Sequence, residues 1–291
     1  MKKIFTLVLS VFTVAALSAQ TPEEGWVRGG VFGVNLSQAS FSNWAAGGDN
    51  SIAFDAVFNY SLNYKRDKHL WTNRLELAYG LNNTQSYDSV RKTNDKIYFS
   101  SNYGYKIAEN LYIGALVTFN TQFAKGYDYK VSSTDYISTF MAPGYLTTGV
   151  GLIWTPRPWL KVTFNPASWR ATFVYDEYLS NLPGGSYGVA QGENILNQFG
   201  ANLVTEVNKE IWENVNLYSR LELYSNYLSK PQNIIVHWDT QLNFKINRWL
   251  SAGLNFNMIY DDNIRFNDGE GRTVPKMQIK QTLGIGLQVQ F

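Results

Sequence analysis

The last fourteen residues of the chain, 278–291, alternate between apolar and polar or small side chains. The two sets are Ile279, Leu283, Ile285, Leu287, Val289 and Phe291, against Gln278, Lys280, Thr282, Gly284, Gly286, Gln288 and Gln290. Side chains of a β-strand point alternately to its two faces, so one face of this segment is apolar and the other polar. The pattern predicts a strand that separates an apolar medium from water.

The rest of the chain is consistent with the same type of strand. The sequence is 15% aromatic and 16% charged, and after the N-terminal segment no apolar run approaches the length of a spanning helix. Backbone groups in lipid must all be paired internally, which only helices and closed barrels achieve. A soluble β-sandwich is the alternative, but its strands are usually shorter than the alternating runs found here. We therefore predict an all-β fold, a transmembrane antiparallel up-and-down β-barrel.

Twelve alternating segments define the predicted strands. They are residues 26–42, 50–65, 69–83, 95–107, 110–125, 143–155, 158–173, 194–208, 214–228, 232–247, 249–264 and 277–291. An even number is expected when both ends of the chain lie on the same side of the barrel.

The connections between these segments alternate in length. Brief links are predicted at 67–68, 108–109, 157, 209–213 and 247–248, and longer ones at 43–49, 84–94, 126–142, 176–193 and 265–276. Residues 229–231 are the exception, a tight turn among the long loops. Short turns of outer-membrane barrels face the periplasm and long loops face outward, which sets the expected orientation.

The N-terminus predicts export. Lys2 and Lys3 precede an apolar run at 4–17, followed by Ser18 and Ala19, which is typical of a secretory signal peptide. Cleavage is expected after Ala19, with cleavage after Ser18 as the alternative. Residues 1–19 are then the signal peptide and residues 20–291 a single barrel domain. The chain contains no cysteine, so neither a disulfide framework nor a lipidated cysteine is expected.

The terminal Phe291 resembles the C-terminal signal by which Gram-negative bacteria recognise outer-membrane barrels for assembly. We therefore expect the barrel-assembly machinery and outer-membrane lipid as partners, and the outer membrane as the location. Tryptophans near the brief links predict an aromatic girdle at the periplasmic interface, because indole rings prefer that position. These tryptophans are Trp71, Trp154, Trp159, Trp212 and Trp249.

Periodicity also assigns the faces of the second segment. Ile52, Phe54, Phe58, Tyr60 and Leu62 are predicted to point outward, and Asp55, Asn59, Ser61 and Asn63 inward. Applied to all segments, the same rule collects charges of both signs in the lumen: Arg74, Glu76, Lys106, Lys161, Glu206, Arg220, Glu222, Asp239, Lys245 and Lys280. Mixed charge is expected both of ion-paired side chains that fill a narrow barrel and of a weakly selective pore.

One lumen cluster is the candidate site: Arg220, Glu222, His237, Asp239 and Lys245. If the tight turn at 229–231 sets the pairing, Tyr224 lies opposite His237, Glu222 opposite Asp239, and Arg220 opposite Gln241. The cluster is either a solute-binding or proton-responsive constriction or a structural hydrogen-bond network, and the second interpretation is favoured because inward polar residues are common in barrels.

The sequence offers few candidate residues for catalysis or metal binding. The chain has two histidines, His69 beside a turn and His237, and neither has a serine in a general-base arrangement. Asp261 and Asp262 are a weak calcium candidate. No cofactor is predicted, and the near-balanced charge of +2 argues against a nucleic-acid partner. Residues 43–50 predict the first outer turn, with Trp44 as an alternative exposed anchor for a partner.

Several segments resemble an uncharacterised family of Gram-negative outer-membrane β-barrel proteins, a domain family of unknown function. They are residues 42–50, 199–201, 214–221, 260–262 with Ile264, and 283–287 with Phe291. The resemblance implies the fold and the location, and it transfers no activity, cofactor or binding residue.

The function predicted from the sequence is a narrow channel for passive movement of small solutes. The alternative is a closed barrel that acts as scaffold or receptor through its outer loops, where a protein partner of unknown identity would bind. An outer-membrane enzyme is the least favoured of the three.

Overall fold

The computed structural model describes residues 25–40, 49–86, 89–129, 131–267 and 272–291. The predicted signal peptide lies outside the described residues, as do Trp44 and all but the end of the predicted first outer turn.

The described residues form sixteen strands and one short helix. In chain order they are β1 Gly25–Ala39, β2 Ser51–Arg66, β3 His69–Thr84, β4 Arg91–Ala108, β5 Leu111–Thr121, β6 Gly126–Tyr127, β7 Tyr136–Ser138, β8 Gly144–Arg157, β9 Leu160–Phe173, α1 Glu177–Ser180, β10 Ile195–Trp212, β11 Val215–Asn226, β12 Ile234–Lys245, β13 Leu250–Tyr260, β14 Arg265–Asn267, β15 Thr273–Pro275 and β16 Gln278–Gln290. Within the described ranges, no helix is long and apolar enough to cross a membrane.

Twelve of the strands close into one antiparallel barrel in the order β1-β16-β13-β12-β11-β10-β9-β8-β5-β4-β3-β2. Each predicted segment corresponds to one barrel strand, and its bounds agree to within four residues. The predicted all-β antiparallel barrel and its strand number are confirmed. The four remaining strands form two small hairpins, β6-β7 and β14-β15, in the long loops.

The brief links lie at one end of the barrel and depend on residues that tolerate a left-handed backbone. Asp67, Asn110 and Asn214 have φ of 52°, 57° and 63° in the turns between β2 and β3, β4 and β5, and β10 and β11. Asp and Asn adopt this conformation at lower cost than other residues with a Cβ. Their positions fix the short-turn end of the barrel, and the longer connections lie at the opposite, long-loop end.

The outer wall carries the apolar face that the alternation predicts. Ile52 and Phe54 are 48% and 39% exposed, whereas Asp55 and Asn59 of the same strand line the interior. Tryptophans gather at the short-turn end as predicted; Trp71, Trp154, Trp212 and Trp249 are exposed there. Trp159 lies in the turn before β9, where the Lys209 Nζ is 5.0 Å from its ring centroid.

The two longest connections, residues 122–143 and 174–194, fold against each other at the long-loop end. The Tyr187 hydroxyl donates to the Ile137 carbonyl at 2.6 Å, and burial raises the pKa of Tyr187 to about 12. A small hydrophobic core lies between the two connections, formed by Ala142, Val174, Leu179 and Val189. These loops are therefore folded structures in their own right.

The chain closes on itself through its last residue. The backbone N–H of Gly30 donates to the Phe291 carbonyl at 2.8 Å, and the Phe291 N–H donates to the Gly30 carbonyl at 3.0 Å. The Phe291 ring stacks at centroid distances of 6.3 Å on Phe58 and 6.4 Å on Tyr60. A Cβ on residue 30 would collide with that ring, so Gly30 provides the space that the terminal aromatic occupies.

Because Phe291 stacks on two rings, we expect Phe291→Ala to lower the free energy of unfolding of the folded barrel by about 1–2 kcal/mol. Heat-modifiable gel migration of the refolded protein against temperature would measure the loss. Phe266→Ala is the matched control, because Phe266 lies in the β14-β15 hairpin outside the barrel wall. If both variants and the wild type unfolded at the same temperature, the contact between Phe291 and β1 would have no stabilising role.

Candidate functional site: the barrel lumen

Four of the five predicted cluster residues come together inside the barrel. Arg220 and Glu222 on β11 and His237 and Asp239 on β12 line one small space in the interior. Lys245 does not join them, because it ends β12 and is exposed at the short-turn end. Sequence periodicity placed all five on the correct strands but carried no information on their depth.

The predicted register between β11 and β12 is wrong by two residues. Glu222 lies opposite His237, and Arg220 opposite Asp239. The chain reverses through seven residues, 227–233, rather than through the tight turn predicted at 229–231. Asn226 accepts from the Leu228 N–H at 3.0 Å, and Lys230 has a left-handed φ of 48°. The centre of the reversal therefore lies earlier in the chain than predicted. Because the register differs by two residues, each side chain stays on its predicted face.

The side chains on β11 form a hydrogen-bonded ion pair. Arg220 is 5% exposed and donates to Glu222 at 2.7 Å. Asn202 on β10 donates to the other Glu222 oxygen at 2.8 Å. A charge-assisted pair with a further donor satisfies the carboxylate, as a buried ion pair requires.

Side chains from opposite walls meet across the lumen. Lys96 on β4 lies 3.7 Å from the Asp239 carboxylate on β12, six strands away around the barrel. Arg74 on β3 stacks over the ring of Tyr218 on β11, with its guanidinium carbon 3.8 Å from the ring centroid. Strands β3 and β11 are likewise six apart. We call these four residues the cross-lumen layer.

Glu76 binds both cations of this layer. It is 4% exposed, accepts from Lys96 at 2.7 Å, and forms a short ion pair with Arg74. Because Arg74 and Lys96 share this carboxylate, the two cross-lumen contacts are one connected network. The network therefore crosses the lumen with side chains from opposite walls.

Two further ion pairs brace the same interior. Lys161 on β9 pairs with Glu206 on β10 at 2.5 Å and donates to Thr72 on β3 at 3.3 Å. Arg170 on β9 reaches Asp261, beyond the end of β13, at 3.2 Å, and both residues are buried. Asp262 accepts from Asn233 at 2.6 Å. The predicted calcium candidate is thus engaged by protein donors, and the described residues contain no group of three His, Cys, Asp or Glu placed to hold a metal.

His237 borders a small internal space of about 40 Å³, which is room for about one water molecule. Its Nε2 and the hydroxyl of Tyr224 are buried without a partner among the described residues. Tyrosine, threonine and charged side chains surround the space, and no serine is found among the described residues that line it.

A larger cavity of about 680 Å³ lies beside the cross-lumen layer. Its polar wall comes from β1, β2, β3, β4, β12, β13 and β16. Most of its polar side chains are short and neutral, with Asn35, Ser37, Asn59, Asn243, Ser251, Asn255, Asn257 and Thr282 among them. Lys280 donates to Asn94 at 2.6 Å, and Asn94 donates to Asp55 at 3.0 Å. The charged residues of the lining are two cations and two carboxylates: Lys96 pairs with Glu76, and Lys280 and Asp55 are linked through Asn94.

The chain matches one protein family over part of its length and is similar to several solved β-barrel structures. Residues 36–127 match the family described as Protein of unknown function (DUF3078). An outer membrane channel from Pseudomonas putida F1 is 12% identical, with a TM-score of 0.41, over 96% of this chain and 100% of that one. The NanC porin is 10% identical, with a TM-score of 0.38, over 89% and 98%. The translocator domain of the autotransporter NalP from Neisseria meningitidis is 7% identical, with a TM-score of 0.36, over 94% and 90%.

No curated protein sequence is significantly similar to the chain. The family match includes the motif at 42–50 and β2 to β5, and it ends at β6. Over residues 36–127 it confirms the resemblance to an uncharacterised family that the sequence predicts.

Proposed function

We propose that the protein is an outer-membrane β-barrel that passes small solutes through a narrow lumen. The observation that carries this proposal is the 680 Å³ cavity, with polar side chains along its wall, in a closed barrel. A cavity of this volume is in the range of small-molecule sites, which is about 300–1,000 Å³.

The surface of the barrel supports the membrane location. Large apolar side chains are exposed around the wall, including Phe99, Ile113, Val150 and Leu152 at 38–57%. Exposure of this kind is costly in water and favourable in lipid, where a closed barrel also leaves few backbone groups unpaired. The short-turn end with its tryptophans then faces the periplasm, and the long loops face outward. Export through the predicted signal peptide and assembly through Phe291 complete the proposed route.

The cross-lumen layer sets the width of the proposed channel. Its contacts are made by flexible charged and aromatic side chains, not by backbone, so solutes pass when these side chains move apart. Both signs of charge line the constriction, which favours weak ion selectivity over a preference for cations or anions. Of the predicted cluster, Asp239 belongs to this layer.

Refolded mature chain, residues 20–291, is expected to give small conductance steps with weak selectivity in a planar bilayer bathed in potassium chloride. Parallel samples should show heat-modifiable gel migration, which establishes that the barrel is folded. Barrels that are folded but electrically silent, and that also leave vesicles impermeable to a small neutral sugar, would contradict the channel.

A second candidate is a scaffold or receptor that acts through the long loops. The shared core between 122–143 and 174–194 favours it, since loops that merely connect strands have no need of one. Such a function predicts a partner that is lost when either loop is shortened while the conductance is retained. An enzyme, the third class considered from the sequence, gains no support from the groups around His237.

A further inference from the structure

One joint of the barrel wall is incompletely paired. β1 pairs with β2 along its whole length, from Gly25 opposite Lys65 to Ala39 opposite Ser51. With β16 it pairs only from Val31–Gln290 to Val34–Leu287, continued at the short-turn end by the bonds between Gly30 and Phe291. β16 meanwhile pairs with β13 as far as Gln278.

In the same register, residues 35–39 of β1 would oppose residues 282–286 of β16, but no ladder joins these described residues. We call this gap the seam. Gly30 is hydrogen-bonded to Phe291, and every second residue of a strand directs its backbone N–H and C=O to the same side. The backbone groups of Leu36 and Gln38 therefore point toward β16. β1 runs away from the short-turn end, so the seam lies in the long-loop half of the wall.

Asn35 marks the place where the strands separate. Its side chain occupies the space in which a Cβ on Gly286 would lie, and its Nδ2 would be 3.1 Å from a Cβ on Gly284. Two glycines on the facing strand thus leave room for the Asn35 side chain against β16. Asn35 is the first residue of β1 beyond the last paired position, Val34–Leu287.

The large cavity reaches the seam from inside. Asn35, Ser37 and Gly284 belong to its lining. Leu36, Leu283 and Ile285 line it as well, and these residues are 66%, 75% and 61% exposed. The same short segments therefore border a polar cavity on one face and present an aliphatic rim on the other.

We propose that the seam is a lateral opening through which a single-chain amphiphile with a head group of no net charge enters the cavity from the outer leaflet. This inference rests on the proposed function, since it assigns a substrate class and an entry route to the same lumen. The alkyl chain passes the rim formed by Leu36, Leu283 and Ile285, and the head group occupies the polar wall.

The chemistry of the cavity selects this occupant. A volume of about 680 Å³ fits one small molecule and not a lipid with two acyl chains. The lining carries two cations, Lys96 and Lys280, and two carboxylates, Glu76 and Asp55, so its charges balance and a head group with no net charge is matched. The backbone groups of Leu36 and Gln38 need hydrogen-bond partners that a purely apolar molecule does not supply.

A disulfide across the seam tests the route. The chain has no cysteine, so S37C/G284C introduces the only pair, at positions that would oppose each other if the ladder continued. The matched control is S219C/T240C, where the two hydroxyls already lie 2.9 Å apart on paired strands. Dodecylphosphocholine below its micellar concentration should block the reduced seam variant and both states of the control, each compared with its own conductance. In the oxidised seam variant, the fraction of conductance that is blocked should fall at least severalfold. An equal block in both of its states would overturn the proposal.

A second measurement does not depend on conductance. Ala53→Cys, on the cavity wall, is labelled with bimane and reconstituted in vesicles with a single-chain phosphocholine brominated on its alkyl chain. Quenching is expected, whereas label at Ser100→Cys, on β4 and away from the cavity lining, should stay bright. Absence of quenching at residue 53, or quenching only by brominated two-chain phosphatidylcholine, would overturn the inference. A silent wild type with quenching at residue 53 would reject the channel and retain the opening.

Discussion

Glu76→Ala is expected to lower the free energy of unfolding of the barrel by about 3–5 kcal/mol, because removal of one partner from a buried ion pair leaves an uncompensated buried charge. Glu76 is 4% exposed and is the shared acceptor of Arg74 and Lys96. Its loss leaves two cations close together in the lumen, with Asp239, 3.7 Å from Lys96, as the nearest remaining carboxylate of the layer.

Urea unfolding in lipid vesicles, followed by tryptophan fluorescence, would measure the loss. Glu213→Ala provides the matched control, since Glu213 is exposed in the turn between β10 and β11 and its removal should change stability by less than about 0.5 kcal/mol. Glu76→Gln should recover little, because it restores the shape but not the charge. A Glu76→Ala barrel as stable as the Glu213→Ala barrel would show that water already screens the cluster.

The architecture could be predicted from the sequence because a barrel repeats one simple rule. Ile52, Phe54, Asp55 and Asn59 alternate with period two, and each strand crosses the wall once, so faces and strand number follow from periodicity. Brief links were recognisable for a related reason. Asp67, Asn110 and Asn214 are residue types that allow sharp reversal, and the structure places each of them at a left-handed φ.

Arg170 was missed as a lumen residue because the alternation is interrupted. Counting in steps of two from the inward Lys161 places Arg170 on the outer face. The pairing with β10 passes from Asn165–Asn202 to Ser168–Gly200, so β9 contains one extra residue at this point. A bulge of this kind reverses the parity of every later position and brings Arg170 inward. Pro166, within the bulge, is the one signal that could have indicated it.

Lys96 is a different case. It lies in the predicted segment 95–107 on the same face as Lys106, so the alternation is consistent with an inward position, but it was not among the predicted lumen charges. In the structure β4 begins at Arg91, and Lys96 lies well inside the barrel. Its partner Asp239 is on the opposite wall, and contacts across a lumen depend on strand tilt and stagger, which no local pattern encodes. The candidate site was therefore predictable in its residue types but not in its connections.

Arg74→Ala and Tyr218→Ala are each expected to raise the single-channel conductance severalfold. The stack between these two side chains spans opposite walls, so truncating either one removes the same bridge and widens the same constriction. Because the two residues form one barrier, the double variant should conduct little more than the better single variant, which is the non-additivity expected of residues in contact.

Arg248→Ala is the control for this series, because Arg248 lies exposed in the turn between β12 and β13 and its loss removes the same charge without touching the lumen. Planar-bilayer recordings under one salt condition compare all four variants with the wild type. Additive increases would place Arg74 and Tyr218 at separate barriers. Unchanged conductance in both single variants would mean that ions bypass the cross-lumen layer, and the 680 Å³ cavity beside it would then be the conducting path.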